Sequence, residues 1–314
     1  MYIGVDLGGT AIKAGLVDDN GTILHKGSAP TRAKAGYRAI VSDIADLINK
    51  VLEESNTSIK DIKSIGMGAP GSIDSKNGVI IYSENIVMRN APVCDEFKKY
   101  FDLPVYIGND ANCAALGEYY ALEEKDIECF VAITLGTGVG SGIIINGKIF
   151  TGFNGVAGEF GHTTIDRNGI DCNCGRKGCW ENYASATALI RETVKAANEN
   201  PDSILAKLIA ENDGKANGKI PFDAAQAGDE VGARVVNEYL KNVALGLVDV
   251  INILRPEVVV IGGGVSNQGE GMLNPIKDYV YKHVYGKDSS ARSDIRVAKL
   301  GNDAGTIGAA FLGK

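Results

Sequence analysis

The sequence predicts an α/β protein made of two similarly built halves, and three observations lead to this fold class. Apolar, β-branched segments alternate with segments whose apolar residues recur at helical spacing. A strand–glycine–strand pattern near the N-terminus occurs again 128 residues later. The chain has 314 residues, 45% of them hydrophobic, which is enough for about two domains of 100–200 residues with cores of their own.

The first half begins with a predicted β-hairpin. Residues 2–17 are apolar on both sides of Gly8-Gly9-Thr10, and a third strand follows at 22–30. The later elements are an amphipathic helix at 37–55, a buried strand at 62–71, and a strand and helix at 103–120 that meet at Asn109 and Asp110. This order is typical of an α/β domain.

The hairpin pattern starts again in the middle of the chain. Residues 130–145 align with residues 2–17 without gaps. The paired positions are Tyr2 with Phe130, Ile3 with Val131, Val5 with Ile133, Leu7 with Leu135 and Gly8 with Gly136. Two glycine-containing hairpins can also look alike by chance, and the sequence leaves that alternative open. A true repeat predicts two domains facing each other across a ligand cleft.

The glycine turns of both hairpins are candidate phosphate sites. Successive glycines allow backbone N–H groups to approach an anion closely, and a threonine hydroxyl adds a donor. Neither turn has the spacing of the commoner phosphate motifs. A third cluster, Gly262-Gly263-Gly264, lies between a predicted strand and helix and suits the base and ribose of a nucleotide, although a plain strand-to-helix turn explains it as well.

Carboxylates at strand ends, together with these turns, predict a phosphotransferase. Such an enzyme positions an acceptor hydroxyl, neutralises phosphate charge and removes the acceptor's proton. Asp110 follows an apolar strand and is the candidate base, and it is equally a candidate helix N-cap. Asp6 is the candidate ligand for Mg²⁺, through water.

The stretch "CNCGRKGC" at 172–179 predicts a metal site. His162 with Cys172, Cys174 and Cys179 provides the four ligands of a closed, structural Zn²⁺ site. A disulfide or a thiol redox site fits less well, because the pattern lacks C-x-x-C. Glu159 and Glu181 flank the ligands, so the metal would fix two carboxylates and an imidazole suited to sugar hydroxyls, unless both are ordinary surface acids.

Composition excludes several classes of function. The net charge is −7 and the pI is about 5.2, which argues against a nucleic-acid footprint or a basic membrane-binding surface. The N-terminus lacks the pattern of a signal peptide, and no apolar run approaches the ~20 residues of a membrane span. The sequence therefore predicts a cytoplasmic protein with reduced thiols.

Seven motifs together resemble the ROK family of sugar kinases and repressors, most of all its glucokinases. They are "DLGGTAIK" (6–13), "GAPG" (68–71), "GNDAN" (108–112), "LGTGVGSG" (135–142), "GEFGH" (158–162), "CNCGRKGCWE" (172–181) and "IGGGVS" (261–266). The resemblance implies the actin-like, hexokinase-type ATPase fold, with two ribonuclease-H-like domains around a cleft. It also implies ATP-dependent phosphorylation of a hexose, expected to be glucose at its 6-hydroxyl, and a homodimer.

The family's functional residues carry over to matching positions. Asp110 would be the base. The sugar would be held by Gly71, Asn85, Asn109, Asp110, Glu159, His162 and Glu181. Phosphates and Mg²⁺ would meet Asp6, Gly8, Gly9, Thr10, Lys13, Gly136, Thr137 and Gly138, and the nucleoside would meet Gly263 and Gly264. The Zn²⁺ ligands would be His162, Cys172, Cys174 and Cys179.

Domain limits and substrate choice complete the expectations. The small domain is expected at 1–110 plus about 301–314, and the larger at 111–300 with a zinc-binding loop at 158–181. Met88 stands where family sugar kinases often carry a Trp, beside the sugar. The alternatives are therefore a kinase for N-acetylmannosamine, fructose or allose, or a non-catalytic sugar sensor of the same fold.

Overall fold

The computed structural model describes residues 1–124, 126–289 and 291–314, and the chain divides into two compact units. Unit 1 comprises Met1–Ala132, Gly142–Gly158 and Lys299–Lys314. Unit 2 comprises Ile133–Ser141 and Glu159–Ala298. The boundary expected after residue 110 therefore lies inside unit 1.

The elements alternate as an α/β protein requires. The strands are β1 (Tyr2–Leu7), β2 (Ala11–Val17), β3 (Ile23–Pro30), β4 (Ile65–Ala69), β5 (Ser72–Asp74), β6 (Val79–Ser83), β7 (Met88–Ala91), β8 (Val105–Asn109), β9 (Cys129–Leu135), β10 (Val139–Ile145), β11 (Lys148–Ile149), β12 (Val258–Gly262) and β13 (Asp294–Val297). The helices are α1 (Tyr37–Glu54), α2 (Val93–Phe97), α3 (Asp110–Tyr120), α4 (Glu181–Ala184), α5 (Ala186–Glu199), α6 (Ile204–Glu211), α7 (Ile220–Gln226), α8 (Glu230–Leu254), α9 (Glu270–His283) and α10 (Ala304–Ala310). Short 3₁₀ turns occupy Ile59–Asp61, Phe160–His162, Gly264–Gln268, Gly301–Asp303 and Phe311–Gly313.

The first sheet has the order β3-β2-β1-β4-β8. Strands β1, β2 and β3 pair antiparallel, which confirms the predicted hairpin and third strand, and β1, β4 and β8 run parallel. Helix α1 buries Ile40, Ile44, Ile48 and Val51 in the core of the unit, as its apolar spacing predicts. Because β1, β4 and β8 are parallel, their carboxyl ends lie at one edge of the sheet.

Helix α10 explains why the C-terminus and α3 both belong to unit 1. Its backbone packs directly on neighbours that lack side chains: a Cβ atom at Gly66 would lie 1.7 Å from the Ala309 oxygen, and one at Gly117 would lie 2.3 Å from the Ala304 oxygen. Glu118 of α3 also accepts hydrogen bonds of 2.9 Å from the N–H groups of Lys299 and Leu300. Helix α3 and the returning C-terminal segment therefore pack together, and both belong to unit 1.

The second sheet repeats the order of the first, β11-β10-β9-β12-β13, with β12 and β13 parallel. Strand β9 ends at Leu135 and β10 starts at Val139, each 128 residues after the corresponding limit, Leu7 or Ala11, of the first hairpin. Five strands in the same spatial order, with a glycine turn in the same place, confirm the internal repeat. Chance resemblance of two hairpins does not explain a shared topology.

A small antiparallel sheet, β5-β6-β7, adds to unit 1 and carries Asn85 in the turn between β6 and β7. Met88 begins β7 and is only 2% exposed, because its side chain belongs to the hydrophobic core. The residue at the position of the family's Trp thus packs inward. Among the described helices, none has the length and apolar character needed to cross a membrane.

Candidate active site

The first glycine turn, Gly8–Thr10, connects β1 to β2 and is tied at its back by Thr31. The Thr31 hydroxyl donates to the Gly8 oxygen at 2.8 Å, and its N–H donates to the Thr10 oxygen at 3.0 Å. Asp6 lies just before the turn, opposite Lys13 in the hairpin register, and Lys13 Nζ is 3.5 Å from Asp6 Oδ2. The structure therefore brings the expected phosphate and Mg²⁺ residues of this hairpin together.

Asn109 and Asp110 lie where β8 runs into α3. Asn109 is the N-cap, and its Oδ1 accepts from the N–H groups of Ala111 and Asn112 at 2.9 and 3.2 Å. Its amide Nδ2 also donates to the Gly71 oxygen at 3.2 Å, so two expected sugar residues are in contact. Asp110 is the first helical residue, and the capping role belongs to its neighbour.

Asp110 is half-buried, and its environment favours a proton acceptor. Burial raises the pKa of its carboxyl, the Ala111 N–H opposes this by donating to Oδ1, and the negative charge of Asp6 adds to the rise. A carboxylate with a raised pKa is a stronger base than a solvated one. The sequence offered capping and base catalysis as alternatives for these residues. The structure places the cap at Asn109 and the raised pKa at Asp110.

Gly71 and Asn85 complete the expected sugar residues of unit 1. Gly71 has φ of 108°, and a Cβ atom there would lie 2.1 Å from the Tyr82 oxygen, so only glycine fits. Asn85 is exposed, and a Cβ atom at Gly9 would lie 3.7 Å from the Asn85 Cβ. Asn85 is therefore a neighbour of the first glycine turn.

The second glycine turn, Gly136–Gly138, connects β9 to β10 and contacts Glu181. Glu181 Oε2 accepts from the Val139 N–H at 3.0 Å, and a Cβ atom at Gly138 would lie 2.1 Å from the same oxygen. Gly263, with φ of 91°, packs equally closely, because a Cβ atom there would lie 2.3 Å from the Leu135 oxygen. In unit 2 the expected sugar acid and nucleoside turn thus both border the expected phosphate turn.

His162, Cys172, Cys174 and Cys179 form one cluster, with one donor atom of each within 4.8 Å of the others. His162 Nδ1 is 3.7 Å from Cys172 Sγ, and Cys174 Sγ is 3.5 Å from Cys179 Sγ. The loop closes on itself, because a Cβ atom at Gly178 would lie 1.6 Å from the Asp166 oxygen. Three thiols and an imidazole at this separation are the donor set of a structural tetrahedral site.

The thiols of the cluster differ in pKa. The Arg176 backbone N–H and guanidinium lower the pKa of the exposed Cys174 thiol to about 6. Burial raises the pKa of the Cys179 thiol to about 12. The Arg176 guanidinium also donates to the His162 oxygen, which ties the two ends of the loop together. Glu159 is exposed and immediately precedes the 3₁₀ turn that carries His162.

Three supporting residues make contacts that have no local signal in the sequence. Trp180 is fully buried, and its Nε1 donates to the Asn242 oxygen of α8 at 2.8 Å. Thr31 and Thr187 bind the carbonyl oxygens of the two glycine turns. Their partners lie 62, 23 and 50 residues away along the chain. Only the burial of the single Trp was foreseeable, from residue type.

Comparison with known proteins agrees with these features. The profile of the ROK family matches residues 2–314. The glucokinase of Halalkalibacterium halodurans is 40% identical over 314 residues, covering 100% of this chain and 94% of the relative. The glucokinase of Streptomyces coelicolor is 37% identical over 319 residues, covering 100% and 98%.

A solved structure extends the similarity to the fold. The crystal structure of a ROK family glucokinase from Streptomyces griseus, in complex with glucose and AMPPNP, superposes with a TM-score of 0.83 at 37% identity, covering 99% of this chain and 98% of that one. The expected hexokinase-type fold is confirmed. The chain belongs to the ROK family.

Proposed function

We propose that this chain transfers the γ-phosphoryl group of ATP to the 6-hydroxyl of glucose. The observation that carries the proposal is the half-buried Asp110 at the carboxyl edge of the first sheet. Burial and the charge of Asp6 raise its pKa there. The turn Gly8–Thr10 follows β1, which lies two strands from β8 in the same sheet. A base beside a phosphate turn is what phosphoryl transfer to a hydroxyl requires. Relatives of 37–40% identity over the whole chain are glucokinases.

In this mechanism Asp110 accepts the proton of the sugar hydroxyl as the oxygen attacks the γ-phosphorus. The transition state spreads charge over the phosphoryl oxygens, so positioning and electrostatic stabilisation provide most of the catalysis. Backbone N–H groups of Gly8–Thr10 and Gly136–Gly138, with Lys13, would bind phosphates. Gly263 and Gly264 would contact the nucleoside. Gly71, Asn85, Asn109, Glu159, His162 and Glu181 would fix the sugar.

Two metal ions belong to the proposal. Mg²⁺ would bind the ATP phosphates near Asp6, through water, and would neutralise their charge. Zn²⁺ would bind His162, Cys172, Cys174 and Cys179, whose donor set and separation fit a closed site. A closed site offers no open position to a reactant, so its role is to hold the loop. Because such a site needs reduced thiols, the proposal includes a cytoplasmic location. It also includes a homodimer, as the family resemblance implies.

The test is ADP release measured across a panel of hexoses. We expect the highest kcat/KM with glucose and formation of glucose 6-phosphate. A preference for N-acetylmannosamine, fructose or allose would retain the kinase and change its substrate. Tight sugar binding without turnover of any hexose would instead favour the sensor and overturn the proposal. Metal analysis of the pure protein should give about one equivalent of zinc.

A further inference from the structure

The back of the second glycine turn is held by the start of helix α5. The Ala186 N–H donates to the Gly136 oxygen at 2.8 Å, and the Thr187 hydroxyl donates to the Thr137 oxygen at 2.8 Å. The third carbonyl, of Gly138, accepts from the Gly136 N–H at 3.0 Å. All three carbonyl oxygens of the turn thus have a protein donor.

The N–H groups of the turn are left for a ligand. In the described part of the chain, the N–H groups of Thr137 and Gly138 have no protein acceptor, and both residues lie outside the strands. Tying the carbonyls backward keeps their negative ends away from an approaching phosphate and aims the N–H groups at it. Ala186 and Thr187 therefore decide whether this turn presents donors or acceptors.

The same start of α5 is connected to the loop at 158–181, here called the metal loop, which carries the cluster of His162, Cys172, Cys174 and Cys179. From Cys179 the chain passes through Trp180, which is fully buried against α8, and through the four residues of α4. The Ala184 oxygen accepts from the Tyr239 hydroxyl at 2.9 Å. Ser185 is 3% exposed and caps α5 by accepting from the Ala188 N–H at 3.1 Å. Only seven residues lie between Cys179 and Thr187, and contacts with α8 fix both ends of α4.

We propose that Ala186 and Thr187 are positioning residues for the ATP phosphates, and that the metal loop controls nucleotide affinity through them. This effect is separate from its expected effect on sugar affinity, which does not depend on these two residues. The inference rests on the proposed kinase function and adds two residues that no motif of the sequence marks. It also assigns to the loop an effect on the second substrate. Neither residue touches a reacting atom, since each acts through a carbonyl of the turn.

Two substitutions remove the two hydrogen bonds separately. Thr187→Val removes the hydroxyl at nearly constant volume, and Thr187→Ser retains it. Ala186→Pro removes the N–H at the first position of α5, where helices accept proline. The preceding Ser185 already has the extended backbone that proline prefers, with φ of −72° and ψ of 160°. The proline ring also occupies the space into which the N–H pointed, so the Gly136 oxygen is pushed away.

Thr193→Val is the matched control. Thr193 lies in the same helix, is fully buried, and donates its hydroxyl to the Leu189 oxygen at 2.7 Å, away from the turn. It therefore removes one threonine hydrogen bond from α5 without changing the glycine turn. A role of Thr187 in folding alone predicts that the two valine variants behave alike.

The measurement is calorimetric binding of AMPPNP and of glucose, each alone, beside KM values for ATP and glucose. We expect Thr187→Val and Ala186→Pro each to weaken AMPPNP binding and raise KM for ATP about 3- to 10-fold, the range for loss of one hydrogen bond. Glucose binding without nucleotide should stay within about twofold, and Thr187→Ser should behave like the unsubstituted chain.

Unchanged AMPPNP affinity in Thr187→Val would overturn the inference, as would an equal loss in Thr193→Val. If Ala186→Pro does not fold, the Thr187 pair still decides the question. Failure of the proposed function looks different, because the unsubstituted protein would then release no ADP with any hexose. AMPPNP affinity can be measured in either case, so the two failures are distinguishable.

Discussion

The two glycine turns occupy the same place in the repeat and have different supports. The Gly8 N–H donates to the Ala11 oxygen and the Gly136 N–H donates to the Gly138 oxygen, both at 3.0 Å. In each turn a threonine hydroxyl donates to a carbonyl oxygen at 2.8 Å. In unit 1 the threonine is Thr31, directly after strand β3. In unit 2 it is Thr187, at the start of a helix that follows the metal loop.

Charge is the second difference between the turns. Asp6 precedes the first turn, and the matching position before the second, 128 residues later, is Thr134. Asp6 and Asp110, the proposed Mg²⁺ partner and the proposed base, therefore both belong to unit 1. Unit 2 carries the metal loop and Glu181 instead. In the proposed mechanism, the first hairpin therefore lies beside the ion and the base, whereas the second is coupled to the metal loop.

The largest expected effect concerns the base of unit 1. Asp110→Asn should lower kcat about 10²- to 10⁴-fold, the range for loss of a general base, with little change in either KM. In the unsubstituted protein, activity should fall as pH decreases through the pKa of Asp110, which burial raises above the usual aspartate range. Steady-state kinetics across pH measure both quantities.

The unfolding temperature of Asp110→Asn is the control for its kinetics. A carboxyl whose pKa is raised on folding contributes stability at low pH, and this contribution is lost as pH rises through the folded pKa. At pH 7 the ionised Asp110 is therefore a cost to the folded protein, and Asp110→Asn should unfold at the same temperature or higher. A lower unfolding temperature with normal kcat would show that the residue is structural.

A smaller effect is expected from the difference in charge between the residues that precede the two turns. Asp6→Asn should raise the Mg²⁺ concentration needed for half-maximal activity about 10- to 100-fold, as loss of a partner to a metal-bound water does. Thr134→Val at the matching position should leave the Mg²⁺ requirement unchanged. The activity of both variants is titrated with Mg²⁺ at saturating ATP. An equal rise in the Mg²⁺ requirement of both variants would contradict the placement of Mg²⁺ beside the first turn.

The smallest effect tests whether the turns are supported independently. Thr31→Val should raise KM for ATP about 3- to 10-fold, as loss of one hydrogen bond does. Its effect should add to that of Cys179→Ser, because the supports share no residues, whereas the effects of Thr187→Val and Cys179→Ser should not add. KM for ATP is measured in each single variant and in the two double variants, which gives one double-mutant cycle for each turn. Non-additivity of Thr31→Val with Cys179→Ser would contradict independence.

Much of this architecture could be predicted from the sequence because its signals are local. Apolar spacing marks the first hairpin and α1, and the repeat at 130–145 marks the second hairpin. The ligand set of the metal cluster was recognisable from its spacing, and the structure brings all four donors together. Strand ends also marked Asn109 and Asp110.

The parts that could not be predicted depend on long-range contacts. Thr31 and Thr187 are ordinary threonines until the fold places them behind a turn. The expected boundary after residue 110 differs from the limits of the two compact units, since α3 packs on α10 through bare backbone at Gly117, a contact that no periodicity reveals. Met88 stands at the position of the family's Trp, which suggested a place beside the sugar, whereas its side chain packs in the core.

We expect the metal loop to brace both the glycine turn Gly136–Gly138 and the sugar-binding side chains of unit 2. The most direct test of this claim is Cys179→Ser, with zinc content, glucose Kd and AMPPNP Kd measured on the same preparation, and Cys94→Ser in unit 1 as the control. We predict that zinc falls well below one equivalent and that both affinities decrease together, while Cys94→Ser keeps all three values. Loss of zinc with unchanged affinity for glucose and AMPPNP would contradict the account.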